Sequence, residues 1–215
     1  MAQIFKRSTN TVAKTSIYGA VFLAAGAVWL FMQLDRSAYN TSQGVTLAQP
    51  VPFSHAHHVS GLGIDCRYCH TSVEEAASAG VPPTATCINC HKLIWNDSPM
   101  LEPVRASYAR GEPIAWSRVH DLPDFVYFNH SIHVAKGIGC DTCHGRIDQM
   151  KLVYQNASLQ MEWCLECHRQ PENFVRPREE IFNGEWKAED QQALGRRLVE
   201  EYGIQSKIYC STCHR

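Results

Sequence analysis

Residues 53–70 read FSHAHHVSGLGIDCRYCH, and this stretch contains the two sequence patterns that decide the fold. Its last five residues are a CxxCH motif, in which a histidine directly follows the second of two cysteines. The chain has five such motifs, which account for all of its cysteines and leave none for another role. They are Cys66–His70, Cys87–His91, Cys140–His144, Cys164–His168 and Cys210–His214.

The CxxCH pattern indicates covalent attachment of c-type haem. Two cysteines three positions apart lie on one helical turn, where each thiol can form a thioether with a porphyrin vinyl group. The adjacent histidine then supplies the proximal axial ligand of the iron. The sequence therefore predicts five covalently bound c-type haems. The attachment residues are Cys66, Cys69, Cys87, Cys90, Cys140, Cys143, Cys164, Cys167, Cys210 and Cys213, and the proximal ligands are His70, His91, His144, His168 and His214.

A zinc site is the most serious alternative interpretation of the cysteines. Seventeen residues separate Cys69 from Cys87 and twenty separate Cys143 from Cys164, and both spacings occur in four-cysteine zinc sites. Such sites, however, do not need a histidine after the second cysteine, and the pair at Cys210 has no partner pair. Redox-active pairs need a βαβ context, and a disulfide framework leaves the histidines unexplained.

The second pattern, F-x-H-x-x-H, occurs at residues 53–58 and again at residues 128–133. Each copy precedes two CxxCH motifs. Residues 53–91 and 128–168 are therefore predicted to be two copies of one dihaem module. Residues 92–127 would connect the modules, and residues 169–215 would carry the fifth haem.

Six histidines lie outside the CxxCH motifs and can supply distal ligands to the irons. We include His120 among the candidate distal ligands, because it approaches the second F-x-H-x-x-H copy between two segments that disfavour a helix. His57 is then the one histidine of the six without an assigned iron. Met150 and Met161 are alternative distal ligands, although methionine more often fills gaps in a core. The predicted distal ligands are His55, His58, His120, His130 and His133.

An uncharged apolar segment at residues 17–34 predicts one transmembrane helix. As a helix it spans roughly 27 Å, close to the thickness of a bilayer core. Only basic charges precede it, so the positive-inside rule places the N-terminus in the cytoplasm and the haem domain in the periplasm. Residues 1–36 are the predicted anchor, 37–52 a linker and 53–215 the haem domain. A cleaved secretory signal is the alternative.

Composition narrows the class of protein. The 215 residues are 45% hydrophobic and 19% charged, with a formal net charge of −1. This charge disfavours a nucleic-acid partner. Apolar residues concentrate in the anchor, and prolines interrupt the rest, so we expect a mainly α-helical and irregular domain with a small side-chain core. Short helices are predicted at Val73–Ser78 and Glu189–Tyr202.

The F-x-H-x-x-H modules resemble those of the small multihaem class III cytochromes c. In that class, the first histidine ligates the haem of the next motif and the second ligates another haem. The resemblance implies that His55 serves the haem at Cys66 and that His130 serves the haem at Cys140. His58 and His133 would serve other haems.

Longer stretches, at residues 53–74, 118–134 and 161–169, are similar to the pentahaem cytochrome c subunit of bacterial alternative complex III. That complex oxidises quinol and passes electrons through an iron–sulfur subunit to the haems, and then to a periplasmic acceptor. The resemblance implies an electron-transfer relay without a catalytic residue of its own. The implied partners are the lipid bilayer, the iron–sulfur subunit, polytopic quinol-binding subunits, a monohaem cytochrome and a soluble acceptor.

Two other functions stay open. One is a membrane quinol dehydrogenase cytochrome that feeds a periplasmic reductase, although that family typically carries four haems. The other is a pentahaem reductase with one open iron. The supply of six histidines for five distal positions disfavours the second, because no iron is left without a candidate ligand.

Overall fold

The computed structural model describes residues 4–214 and divides the chain into two compact units, Met1–Gln43 and Gly44–Arg215. Residues 1–3, at the start of the predicted anchor, and residue 215, at the end of the predicted fifth-haem segment, lie outside the described residues.

The first unit is dominated by one long helix, α1 (Ser8–Arg36), which is followed by the short helix α2 (Ala38–Thr41). The 29 residues of α1 rise about 43 Å along the axis, and none of them is buried. The helix is long and apolar enough to cross a membrane. A secretory signal sequence would meet the same criteria.

The second unit is built from short helices joined by irregular segments. Between residues 44 and 214 it contains no β-strand, only isolated bridges between Thr46 and Tyr154 and between Ile138 and Val175. The predicted helical and irregular fold is therefore confirmed. The helices are α3 (Cys66–Cys69), α4 (Thr84–His91), α5 (Glu102–Arg110), α6 (His130–Ala135), α7 (Cys140–His144), α8 (Met161–Arg169), α9 (Gln191–Glu201) and α10 (Cys210–Cys213), with a π-helix at Ala56–Gly61 and 3-10 turns at Pro99–Leu101, Ile147–Gln149, Pro171–Asn173 and Arg178–Glu180.

Every CxxCH motif has both of its cysteines on a helix, as the motif chemistry requires. In α3, α7 and α10 the first cysteine is also the first helical residue. In α4 and α8 the motif occupies the second half of the helix. Residues three apart lie on the same face of a helix, so both thiols of each motif point to one side.

The predicted linker at residues 37–52 is shared between the two units. The Gly44 N–H donates to the carbonyl oxygen of Gln155 at 2.8 Å, and the side-chain amide of Gln49 exchanges two hydrogen bonds with the backbone of Ser117. Val51 is buried. Residues 44–52 therefore pack as part of the second unit, while the module boundaries within that unit stay predictions.

The side-chain core of the second unit consists of two small clusters. One contains Val51, Leu101 and Val104, and the other contains Val73, Val134 and Ile181. This agrees with the small core expected from the sequence. Side chains alone bury little apolar surface in a unit of this length.

The predicted helix at Glu189–Tyr202 is confirmed as α9, within two residues at its start. Asp190 caps it, because the Asp190 side chain accepts a hydrogen bond from the Ala193 N–H at 2.9 Å. A buried glycine, Gly195, lies in the middle of α9.

The predicted helix at Val73–Ser78 is wrong, because this segment forms turns and bends. Its carbonyl groups are used elsewhere. The Ala77 carbonyl oxygen accepts from the His130 N–H at 3.0 Å, and that of Ala76 accepts from the Ser131 N–H at 3.2 Å. The segment therefore anchors the first turn of α6 instead of making its own helical hydrogen bonds.

Gly195→Ala is expected to destabilise the second unit by about 1–3 kcal/mol, because a Cβ at this position would overlap the carbonyl oxygen of Glu172. The loss occurs although alanine by itself favours a helix by roughly 0.5–1 kcal/mol over glycine. Urea unfolding measures the difference, with Arg197→Ala on the exposed face of the same helix as the control. An unchanged midpoint would mean that α9 does not need this close approach.

Candidate haem sites

Four pairs of histidine rings face each other, and each pair joins an F-x-H-x-x-H element to a CxxCH motif. Two imidazoles on opposite sides of one metal ion, with metal–nitrogen bonds of about 2 Å, hold their ring centres roughly 6–6.5 Å apart. The observed pairs fit one iron each. Their ring-centre distances are 6.5 Å for His55 and His70, 6.2 Å for His58 and His91, 6.3 Å for His130 and His144, and 6.1 Å for His133 and His168.

The angles between the paired rings repeat from one module to the other. In the pairs formed by His55 and His130, the ring planes are nearly parallel, at 1° and 9°. In the pairs formed by His58 and His133, the planes cross steeply, at 63° and 71°. The two sequence copies therefore build two copies of the same geometry.

The phenylalanine of each F-x-H-x-x-H element contacts both of its histidines. Phe53 meets the His55 ring edge-on, with centres 4.9 Å apart, and stacks on His58 at 4.4 Å. Phe128 contacts the two histidines of the second copy in the same way, at 4.8 and 4.5 Å. The aromatic ring thus limits the rotation of both imidazoles, which explains its place in the pattern.

In most of these rings, the Nδ1 atom forms a hydrogen bond with a backbone carbonyl oxygen, which holds the ring in place. A metal-binding histidine whose Nδ1 is engaged in this way presents Nε2 to the metal. Sequence reasoning missed these partners, because a carbonyl oxygen in a turn has no residue-type signature. The Nδ1–oxygen pairs are His58 with Ser54 (2.8 Å), His70 with Gly80 (2.8 Å), His91 with Ile94 (3.0 Å), His130 with Ala77 (2.9 Å) and His133 with Asn129 (2.7 Å).

Three of the eight paired histidines, His55, His144 and His168, lack such a carbonyl contact among the described residues. The Nδ1 atom of His55 is buried without a hydrogen-bond partner among the described residues. The Nδ1 atom of His144 lies 3.2 Å from Nε2 of His120, a side-chain nitrogen. His120, predicted as a distal ligand, therefore lies next to Nδ1 of His144, and the His144 ring faces His130. Nε2 of His120 is engaged in this contact and not directed at a motif histidine across an iron site.

Burial favours the neutral form of three paired imidazoles, His55, His133 and His144, by lowering their pKa, and the neutral form is the one that binds metals. It lowers the pKa of His55 to about 4, and the neighbouring His70 and His58 lower this pKa further. It also lowers the pKa of His144 to about 3, with His120 and His130 acting in the same direction.

Eight of the ten cysteines are partly buried, and burial raises the pKa of several of their thiols. Burial raises the pKa of Cys140 and of Cys143 to about 12, and that of Cys167 to about 11. Reactive and zinc-binding cysteines need the opposite shift. All ten cysteines are free of disulfides, and among residues 4–214 no group of three or more His, Cys, Asp or Glu side chains is arranged to hold a metal ion.

The motifs lie in a spatial order that differs from their order in the sequence. Burial is the largest cause of the raised pKa of four thiols, and the second largest cause is in each case a cysteine of another motif. The thiols and these cysteines are Cys69 with Cys87, Cys140 with Cys66, Cys143 with Cys167 and Cys164 with Cys213. These pairs place the first motif beside the second and the third, and the fourth motif beside the third and the fifth. The exposed cysteines, Cys90 and Cys210, belong to the two motifs at the ends of this series.

The fifth motif is less complete than the others. Nδ1 of His214 lies 3.2 Å from the carbonyl oxygen of Phe125, and no histidine of residues 4–214 faces the His214 ring. Of the methionines predicted as alternative ligands, Met150 is buried and its carbonyl oxygen accepts from Ala56 in the first module. Met161 is exposed and begins α8, one turn before Cys164.

Comparison with known proteins agrees with this geometry. Residues 126–215 match the family model described as cytochrome c7 and related cytochrome c. A stretch of 97 residues is 36% identical to the multiheme cytochrome c subunit of menaquinone reductase from Nitratidesulfovibrio vulgaris (strain Hildenborough). The alignment covers 45% of this chain and 45% of that protein, so the chain spans less than half the length of the curated relative it matches. Residues 126–215 are thus similar to cytochrome c7-like multihaem domains.

Proposed function

We propose that the chain carries five covalent haems and works as an electron relay, with no catalytic site of its own. The observation that carries this proposal is the set of four facing histidine pairs, 6.1–6.5 Å apart. When bound, a haem with two histidine ligands exchanges single electrons. Two facing histidines at each of these sites would hold the iron from both sides and would leave no position for a substrate.

Each haem is assigned to residues already described. The cysteines of each motif would attach it, and the motif histidine would be one ligand of its iron. At the first four motifs, His55, His58, His130 and His133 would be the second ligands. At the fifth motif Met161 would be the distal ligand, because it begins α8, and α8 contacts the segment before this motif, where the Ser206 hydroxyl donates to the His168 carbonyl oxygen at 2.7 Å.

The spatial order of the motifs supports a relay with two ends. The motif at Cys87 and the motif at Cys210 stand at opposite ends of the series, and each has one exposed cysteine. Electrons would therefore enter at one of these motifs and leave at the other. The motifs between them, whose cysteines are all partly buried, would hand electrons on from one end to the other.

The partners follow from the resemblance to alternative complex III and from the menaquinone reductase relative. We propose that the chain is one subunit of a membrane complex, where it accepts electrons from an iron–sulfur subunit next to polytopic quinol-binding subunits. A monohaem cytochrome or a soluble periplasmic carrier would accept them. The relative's name indicates a second candidate in which electrons flow the opposite way, from a periplasmic donor towards menaquinone.

Helix α1 is proposed to anchor the chain in the cytoplasmic membrane in a single pass. Lys6, Arg7 and Lys14 precede its apolar part, so the N-terminus would face the cytoplasm. The haem unit would then lie in the periplasm. This placement is consistent with the covalent attachment of haem outside the cytoplasmic membrane in bacteria.

Measurement of haem on the purified full chain tests the proposal. The mass of the denatured chain is expected to exceed the polypeptide mass by five haems, and the ferric spectrum to show low-spin irons at the first four motifs. Added nitrite or cyanide is expected to leave these four unchanged. Bound zinc in place of haem, fewer than five haems, or a haem that reduces nitrite would each overturn the proposal.

A further inference from the structure

His144 differs from the other motif histidines in the partner of its Nδ1 atom. That partner is Nε2 of His120, at 3.2 Å, and the two rings cross at 75° with their centres 4.3 Å apart. In His70, His91 and His214, the Nδ1 atom instead contacts a backbone carbonyl oxygen. A side-chain base replaces a carbonyl group at this one position.

Coordination chemistry fixes the direction of this hydrogen bond. His144 faces His130 across 6.3 Å, so its Nε2 is the atom available to an iron. A histidine that binds a metal through Nε2 carries its ring proton on Nδ1. His144 is therefore the donor, and the Nε2 lone pair of His120 is the acceptor. The ring proton of His120 must lie on its own Nδ1.

The acceptor matters because an imidazole nitrogen is a much stronger base than an amide carbonyl oxygen. A stronger acceptor draws the Nδ1 proton away and leaves more negative charge on the ligand ring. A more negative ligand stabilises ferric iron over ferrous iron and so lowers the reduction potential. Both rings are partly buried, which strengthens the hydrogen bond further.

We infer that His120 is a positioning residue, which orients His144 and lowers the reduction potential of the haem at Cys140. The inference rests on the proposed function, because it assumes a haem at this motif. The first module provides an internal comparison. There His70 donates to the Gly80 carbonyl oxygen and His55 has no Nδ1 partner, so the haem at Cys66 should have the higher potential.

The test compares His120→Leu with the full-length holoprotein in a spectroelectrochemical titration. The leucine removes the acceptor and is expected to raise the reduction equilibrium constant of one haem about tenfold, which corresponds to about 59 mV for one electron. His120→Gln, whose amide oxygen is a weaker acceptor, is expected to give a smaller rise and serves as the second variant should the leucine protein not fold. His57→Leu changes a histidine outside the four pairs and controls for general effects.

Two results would overturn the inference. One is an unchanged set of potentials in both His120 variants. The other is a new high-spin haem in the ferric spectrum, because that would make His120 an axial ligand. Haem content is measured first on the unaltered protein. A missing haem there would refute the proposed function instead, so the two failures are distinguishable.

Discussion

His58→Ala is expected to open one haem of the protein, so that the reduced chain binds one carbon monoxide molecule where the unaltered first four motifs bind none. His58 faces His91 at 6.2 Å, and its Nδ1 is held by the Ser54 carbonyl oxygen. Removal of its ring therefore empties the distal position above the haem at Cys87. No other histidine among residues 4–214 faces His91 to replace it.

The neighbouring residue provides a matched control. His57 is next to His58 in the sequence, but its ring lies parallel to Trp95 at 6.2 Å and pairs with no motif histidine. His57→Ala is therefore expected to leave carbon monoxide binding unchanged. If both variants bind the gas equally, or neither does, the pairing of His58 with His91 is not the ligand set of this haem.

Electron paramagnetic resonance identifies the site that is lost. Steeply crossed axial rings give a low-spin ferric signal with a larger maximal g value than parallel rings. The rings of His58 and His91 cross at 63°, whereas those of His55 and His70 are parallel within 1°. His58→Ala should therefore remove a signal of the large-g class and leave the parallel class intact.

Most of what could be predicted from the sequence came from short patterns of five or six residues. A CxxCH motif spans five residues and an F-x-H-x-x-H element spans six, so the relation between their side chains is set by one helical turn. The placement of the motif cysteines on helices and the capped helix α9 followed from such short-range geometry. The repeated arrangement around Phe53 and Phe128 has the same origin.

Long-range contacts were the part that the sequence could not predict. His120 and His144 are 24 residues apart, and nothing in either segment indicates that they meet. The helix predicted at Val73–Ser78 failed for the same reason, because its carbonyl groups serve α6, more than fifty residues away. The spatial order of the motifs depends equally on how distant segments pack.

A buried ion pair ties the third motif to a distant loop and underlies the second large effect. Nη1 of Arg176 lies 2.8 Å from a carboxylate oxygen of Asp141, the residue after Cys140 in α7. The side chain of Arg176 is 8% exposed and that of Asp141 is 24% exposed. The same guanidinium group donates to the Asn183 carbonyl oxygen at 3.2 Å and lies 5.3 Å from the Trp186 ring.

Arg176→Met is expected to lower the free energy of unfolding by about 3 kcal/mol, because it leaves the Asp141 carboxylate largely buried without its cation. The cost comes from the orphaned charge and not from the pair itself, so adding Asp141→Asn should recover at least half of the loss. Guanidinium unfolding followed by circular dichroism measures both. Arg118→Met, which breaks an exposed ion pair with Asp121, is the control and should change nothing measurable. A double variant as unstable as the single one would show that Arg176 acts through packing rather than through charge.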